Sequence, residues 1–323
     1  MSNPYFTMRD ACPVCGASKT ARLYSAAYTS PPLSDFLQSF YAPVGPGIEF
    51  EYLDGANYTL DECLDCGLVF QVGVPNDALM HILYERWIDP QTVFQRHEKS
   101  DDLQLHAYYA KEIMQIIGYF NRSPSELKVF DFAMGWGKWA RLAGAFGCQA
   151  YGAELAESRR QFARSNGIRI VDWDEIPKHR FDFINTEQVF EHIPDPTETL
   201  RRLAKALNPG GLIKISVPNG SDIKRRLKVM DWTAPSGSRN SLNAVSPLEH
   251  INCFHRRALF TLAQAAGLEP VFLPLSLQYA YSTNWKLVTP FLKNLLIPIY
   301  TSVLRRGTYQ YFRGSTVMPS RLP

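Results

Sequence analysis

From about residue 126 onward, short apolar runs alternate with stretches in which apolar residues recur every three to four positions. The runs predict strands at residues 127–132, 149–154, 168–171, 181–185 and 212–217. Helical periodicity falls between them, at residues 139–146, 156–165 and 197–207, the last stopped by Asn208-Pro-Gly-Gly211. A further helix at 256–266 ends at Gly267 and feeds a strand at 269–275, and 309–312 is a candidate last strand. Strands and helices alternating through short connections predict an α/β fold, a parallel sheet with helices on both faces. Upstream the pattern differs. Leu79, Ile82 and Leu83 share one helical face, as do Tyr109, Ile113, Ile116 and Ile117, whereas the first 75 residues are rich in turns and proline.

These shifts divide the chain into four parts: a small domain at 1–75, a helical linker at 76–125, the sheet domain at 126–275, and a C-terminal extension at 276–323 that completes or packs on the core. Residues 285–304 are apolar, helical in pattern and broken by proline. They read as a packed terminal element, with peripheral contact to a membrane surface or a lipid-linked substrate as the alternative. Its most apolar part, residues 294–304, is interrupted by Pro298 and is shorter than the ~20 residues of a spanning helix. The hydrophobic fraction of 46% and charged fraction of 20% are those of an ordinary globular protein. Net charge is 34 − 31 = +3, too small to argue for nucleic acid. Without a basic, then apolar, start to the chain, a cytoplasmic location is expected.

In that compartment cysteines stay reduced, so paired cysteines point to metal. Cys12-Pro-Val-Cys15-Gly16 and Cys63-Leu-Asp-Cys66-Gly67 are two matching knuckles. Two intervening residues let both thiolates face one tetrahedral ion, and the following glycine permits the tight turn. Four protein ligands leave no open position, so Cys12, Cys15, Cys63 and Cys66 are expected to hold a structural Zn2+ in a zinc-ribbon-like domain. The 47 residues between the pairs must fold with that domain. Cys148 and Cys253 stand alone in apolar company and read as core.

The most specific chemistry lies in Val129-Phe-Asp-Phe-Ala-Met-Gly-Trp-Gly-Lys-Trp-Ala140, followed by Tyr151-Gly-Ala-Glu154. Gly135 and Gly137 let a tight turn form and a ligand approach the backbone. Glu154, 19 residues after Gly135, ends the next strand, where a carboxylate can accept from a ribose diol. The same pattern satisfies a dinucleotide fingerprint. Asp131, however, ends the strand before the turn, where it would repel a pyrophosphate and suit a cationic ligand end.

Asp131-Phe-Ala-Met-Gly-Trp-Gly137 resembles the first motif of class I S-adenosylmethionine-dependent methyltransferases, which have a Rossmann-like sheet. Phe181-Asp-Phe-Ile-Asn-Thr-Glu-Gln-Val-Phe-Glu-His-Ile-Pro-Asp195 is similar to their fourth-strand motif, and Leu207-Asn-Pro-Gly-Gly-Leu-Ile-Lys-Ile-Ser-Val-Pro218 to their fifth. Ala133 stands where the family usually has glycine. The resemblance implies that Asp131, Gly135 and Gly137 line the methionine side of the cofactor and that Glu154 binds its ribose. It further implies that Asp172 and Trp173 flank the adenine and that Glu187 closes the pocket floor.

The two-knuckle domain, with Cys66-Gly-Leu-Val-Phe70, resembles that of sugar C-methyltransferases, and Pro247-Leu-Glu-His-Ile-Asn-Cys-Phe254 resembles the segment carrying their Glu-His pair. This implies a sugar or nucleotide-sugar acceptor, although the large C-terminal domain of that family has no counterpart here. His250 is then the first candidate for the base, Glu249 its orienting partner and His192 the second candidate. Lys224-Arg-Arg226 and Lys228 are either a solvated helix face or a phosphate-binding run. A zinc-ribbon RNA methyltransferase and a non-catalytic binding module are the competing readings.

Overall fold

The computed structural model describes residues 3–89, 92, 95, 103–279 and 288–314. The chain forms two compact units that interleave along the sequence. One comprises Met1–Asp101, Glu191–Pro196 and Pro218–Thr261, the other Asp102–Phe190, Thr197–Val217 and Leu262–Pro323. The contiguous boundaries expected from the sequence differ from this division, because two later segments pack with the N-terminal unit.

The second unit holds a sheet of seven strands: β1 (Lys128–Phe132), β2 (Gln149–Ala153), β3 (Arg169–Ile170), β4 (Phe181–Glu187), β5 (Leu207–Ser216), β6 (Leu268–Val271) and β7 (Tyr309–Gly314). Their order is β6-β7-β5-β4-β1-β2-β3. β1, β2, β3, β4 and β5 run parallel, and β7 is antiparallel to both β5 and β6. The central strands are covered on both faces, as in a buried parallel sheet; every residue of β4 before Glu187 is buried. Helices Leu103–Phe120 and Lys138–Ala145 close one core with Val129, Phe183, Leu212 and Tyr311.

Strand order reverses between β1 and β4. At such a switch point the connections leave in opposite directions and open a crevice beyond the carboxyl ends of the strands. Asp131 and Glu187 sit at those ends. One detail differs from expectation. The 208–211 turn does not precede β5 but lies within it, where the pairing with β4 slips between Leu207 and Leu212. Gly211 is required there, since a Cβ would lie 3.0 Å from the carbonyl oxygens of Asn208 and Phe181.

The first unit pairs Phe6–Met8 with Gly73–Pro75 and builds a four-stranded sheet from Thr20–Ala27, Asn57–Cys63, Val69–Gln71 and Asn252–Cys253. Its core is aromatic, with Tyr28, Tyr41, Tyr58 and Trp87 wholly buried and Trp232 packed among them. Cys253 is part of this core and Cys148 of the other. The 285–287 part of the expected apolar C-terminal helix lies outside the described residues; the rest forms Val288–Pro298 and the wider turn Ile299–Val303. No helix among the described residues is long and apolar enough to cross a membrane.

Candidate functional site

In the second unit the loop after β1 is a run of left-handed residues: Ala133 at φ +54°, Gly135 at +56° and Gly137 at +68°. A Cβ on Gly135 would meet nothing within 4 Å, so that side of the turn is open to a ligand. On Gly137 it would strike Ile168 Cδ1 at 2.7 Å, so this glycine serves packing at the start of helix Lys138–Ala145. The Glu154 carboxylate holds the turn from outside. It accepts from Gly135 N at 2.9 Å, Leu155 N at 3.0 Å and Ala156 N at 3.1 Å. Three of its roughly four lone-pair positions are thereby used, and Arg159 pairs with the same carboxylate at 3.6 Å.

Asp131 is buried and accepts from Asn185 Nδ2 at 2.8 Å. Burial pushes its carboxyl up to about 7, against the pull of Asn185 and Lys214. Trp173 is 43% exposed, lies over the Arg202 guanidinium at 4.8 Å, and has Phe132 5.8 Å away. Its neighbour Asp172 pairs with Arg160 at 2.6 Å. Glu187, last in β4, joins a network absent from the sequence reading. Lys214 on β5 is fully buried and donates to both oxygens of Glu112 at 3.0 Å and to Glu187. Trp139 Nε1 donates to Glu112 at 2.6 Å, and Ser216 donates to Glu187 at 3.3 Å. A lysine inside the apolar run Leu212-Ile-Lys-Ile215 was the signal that could have revealed it.

The expected base residues belong to the first unit. His192 and His250 meet edge to face with ring centroids 4.8 Å apart. One nitrogen from each and an oxygen of the wholly buried Glu191 lie within 4.8 Å of one another. The Nδ1 of His250 contacts the carbonyl of Asn243. A carbonyl only accepts, so Nδ1 carries the proton and Nε2 keeps the lone pair. Burial lowers His250 to about 4 and, with the push of His250, His192 to about 3. Both imidazoles are therefore neutral at pH 7. Glu249 is pushed up to about 7 by burial, opposed by the Tyr41 hydroxyl.

Three tethering residues escaped the sequence reading. Gln71, wholly buried, donates to the carbonyls of Ser246 and His250 at 3.1 Å. Asn252 binds the other loop through its side chain to Ile193 O at 2.7 Å and its N–H to Glu191 O at 3.0 Å. Arg9 reaches Asn252 and Pro194 at 3.0 and 2.8 Å. Leu248, beside Glu249, is held at φ +69°, an uncommon conformation for a branched residue. The basic run is largely engaged within this unit: Lys224 pairs with Glu62 at 2.6 Å, and Arg226 binds Asp222 and the carbonyls of Asn219 and Ser241.

The four knuckle cysteines converge in the same unit. Cys12 and Cys66 Sγ are 3.6 Å apart, Cys15 and Cys63 Sγ 3.4 Å, and all four lie within 4.8 Å of one another. Bonds of about 2.3 Å to a tetrahedral zinc require sulfurs ~3.8 Å apart, so the donor set fits. The knuckles are built alike, Gly16 N donating to Cys12 O and Gly67 N to Cys63 O, each at 2.9 Å. Both glycines are left-handed, and a Cβ on Gly67 would lie 2.4 Å from His255 Nε2.

Residues 102–272, just over half of the chain, match the family described as a methyltransferase domain, and the chain belongs to that family. It is an S-adenosylmethionine-dependent methyltransferase with a Rossmann-like fold. It is similar to the ubiquinone biosynthesis O-methyltransferase of Bordetella pertussis, 25% identical over 62% of this chain and 86% of that one. The enzyme of the same name from Ruegeria pomeroyi is 28% identical over 64% and 88%. Among solved structures, the plantazolicin methyltransferase BamL with a triazolic desmethylPZN analog and SAH is 14% identical, covering 72% of this chain and 92% of that one at a TM-score of 0.45.

Proposed function

We propose that the protein methylates a small-molecule acceptor, a sugar or nucleotide-linked sugar, with His250 as the base and a structural Zn2+ on Cys12, Cys15, Cys63 and Cys66. The observation that carries this reading is the imidazole pair. His250 has its Nδ1 proton committed to Asn243, its Nε2 lone pair available and a charge of zero at neutral pH. S-adenosylmethionine supplies an electrophilic methyl group on a sulfonium. The chain's own residues must then bind it and manage one acceptor proton. Asp131, Gly135 and Gly137 are assigned to its methionine end, Glu154 to the ribose, Asp172 and Trp173 to the adenine, and Glu187 to the pocket floor. Nε2 of His250 receives the acceptor proton, Glu249 stabilises the resulting imidazolium, and His192 orients the ring.

The sugar reading is supported by the two-knuckle domain and the Glu249-His250 segment, both similar to those of sugar C-methyltransferases. The relatives' name, an O-methyltransferase of ubiquinone biosynthesis, favours a small acceptor over RNA and makes a hydroxyl acceptor the second reading. Transfer of tritiated methyl from S-adenosylmethionine to a panel of nucleotide-linked keto sugars, phenols and RNA tests the proposal. Label is expected in the sugars, with His250→Gln lowering the rate by about 10²-fold or more. Label in RNA alone, or a rate indifferent to His250→Gln, sinks it.

A further inference from the structure

From Leu292 to Leu304, the helix Val288–Pro298 and its continuation Ile299–Val303 are inside out for a protein bathed in water. Between residues 292 and 304, eight large apolar side chains are exposed, among them Leu292 at 47%, Leu296 at 57% and Leu304 at 56%. Within residues 292–304 the positions turned inward are small or polar. Pro298 is buried, and Asn294, Thr301 and Ser302 are half-buried. Ser302 Oγ accepts from Gln278 Nε2 at 2.9 Å, and the carbonyl of Leu295 accepts from Tyr279 at 2.5 Å. An ordinary surface helix shows the opposite arrangement, and a contiguous exposed apolar face marks a contact with something apolar.

Charge identifies that partner. Residues 270–323 contain six lysines and arginines (Lys286, Lys293, Arg305, Arg306, Arg313 and Arg321) and no aspartate or glutamate. With the whole chain at +3, the first 269 residues carry −3, so the net positive charge comes from this end. Lys293, Arg305 and Arg306 are exposed within or directly beside the apolar face. A second copy docking on this patch about a twofold axis would set like charges against one another. A lipid surface instead offers an apolar interior below a negative headgroup layer, the environment of interfacial helices with basic flanks.

We propose that residues 292–306 form an interfacial anchor that docks the protein on bilayers containing anionic phospholipid, lying in the headgroup plane without crossing the membrane. The inference is independent of the acceptor. It is tested by co-sedimentation of the full chain with vesicles of phosphatidylcholine alone and with vesicles in which about 30% of the lipid is phosphatidylglycerol. Partitioning is expected to be on the order of tenfold stronger on the anionic vesicles. The paired change Leu296→Glu and Leu304→Glu abolishes binding to both, while Lys293→Glu with Arg306→Glu removes only the difference between them. Because all four side chains are exposed, the variants should melt like the parent, which a thermal scan checks. Failure to sediment with either vesicle, or binding that survives both variants, overturns the proposal. So does light scattering that shows a dimer converted to monomer by Leu296→Glu, which would make a second copy the occupant.

Discussion

Lys214→Met is the sharpest test of how the sheet unit holds its charges. Methionine keeps the length and apolar stem of lysine, so packing is preserved while the ammonium disappears. In the folded chain that ammonium contacts Glu112, 2% exposed, and Glu187, whose side chain is 23% exposed. Two carboxylates around one ammonium sum to −1; removing it leaves −2 in a buried region that also contains Asp131. At an effective dielectric of ~20, opposite charges about 4 Å apart gain about 4 kcal/mol. Some of this is recovered when Glu187 turns toward water or a carboxyl takes a proton. Breaking a buried pair from one side therefore costs about 3–5 kcal/mol. For a unit of this size each kcal/mol moves the midpoint by ~2–4 °C, giving a fall on the order of 10 °C in a thermal melt followed by circular dichroism. Adding Glu112→Gln to Lys214→Met should restore part of the loss, because it removes one stranded charge. A variant melting within about 2 °C of the parent, or a double variant showing simple addition of two losses, would refute the account.

Ala133 holds a left-handed conformation that costs an L-residue about 1–2 kcal/mol, partly offset by the greater backbone entropy of glycine. Ala133→Gly is therefore expected to raise stability by up to about 1 kcal/mol in urea titration without weakening S-adenosylmethionine binding by calorimetry; a destabilised protein contradicts this. The two histidines have folded values below the usual 6.5, so their contribution is present above that pH and is lost as pH falls through about 4 and 3. Acid denaturation should steepen below pH 6.5, and His250→Gln should flatten that limb by ~3 kcal/mol. An acid limb unchanged by His250→Gln would contradict this assignment. Metal analysis is expected to find one zinc per chain, and Cys63→Ser to lose it together with the fold of the N-terminal unit; a zinc-free protein with native circular dichroism would contradict both.

Much of the sheet unit was legible in the sequence because its signals are local. An apolar run flanked by glycine or proline, or a helical period ended at Gly267, depends on neighbours a few residues away. The knuckles were legible for the same reason: two cysteines at a fixed spacing followed by glycine carry their geometry with them. The turn at 208–211 was misplaced because a bulge within a strand and a loop before it use the same residues, and only pairing with β4 distinguishes them. The Lys214 network was missed because it joins residues 102 positions apart. Nothing local tells a buried lysine which carboxylates will meet it.

The local sequence determined the alternating elements, the open glycine turn, the acids at the strand ends and the two cysteine knuckles, since each follows from backbone freedom and short-range spacing. Tertiary structure decided which segments belong together. It gathered residues 191–196 and 218–261 into the N-terminal unit, brought His192 edge-on to His250, and assigned Gln71, Asn252 and Arg9 to hold their loops. Those contacts form only after distant stretches of chain have been ordered side by side, at an entropic cost that no single stretch can offset alone.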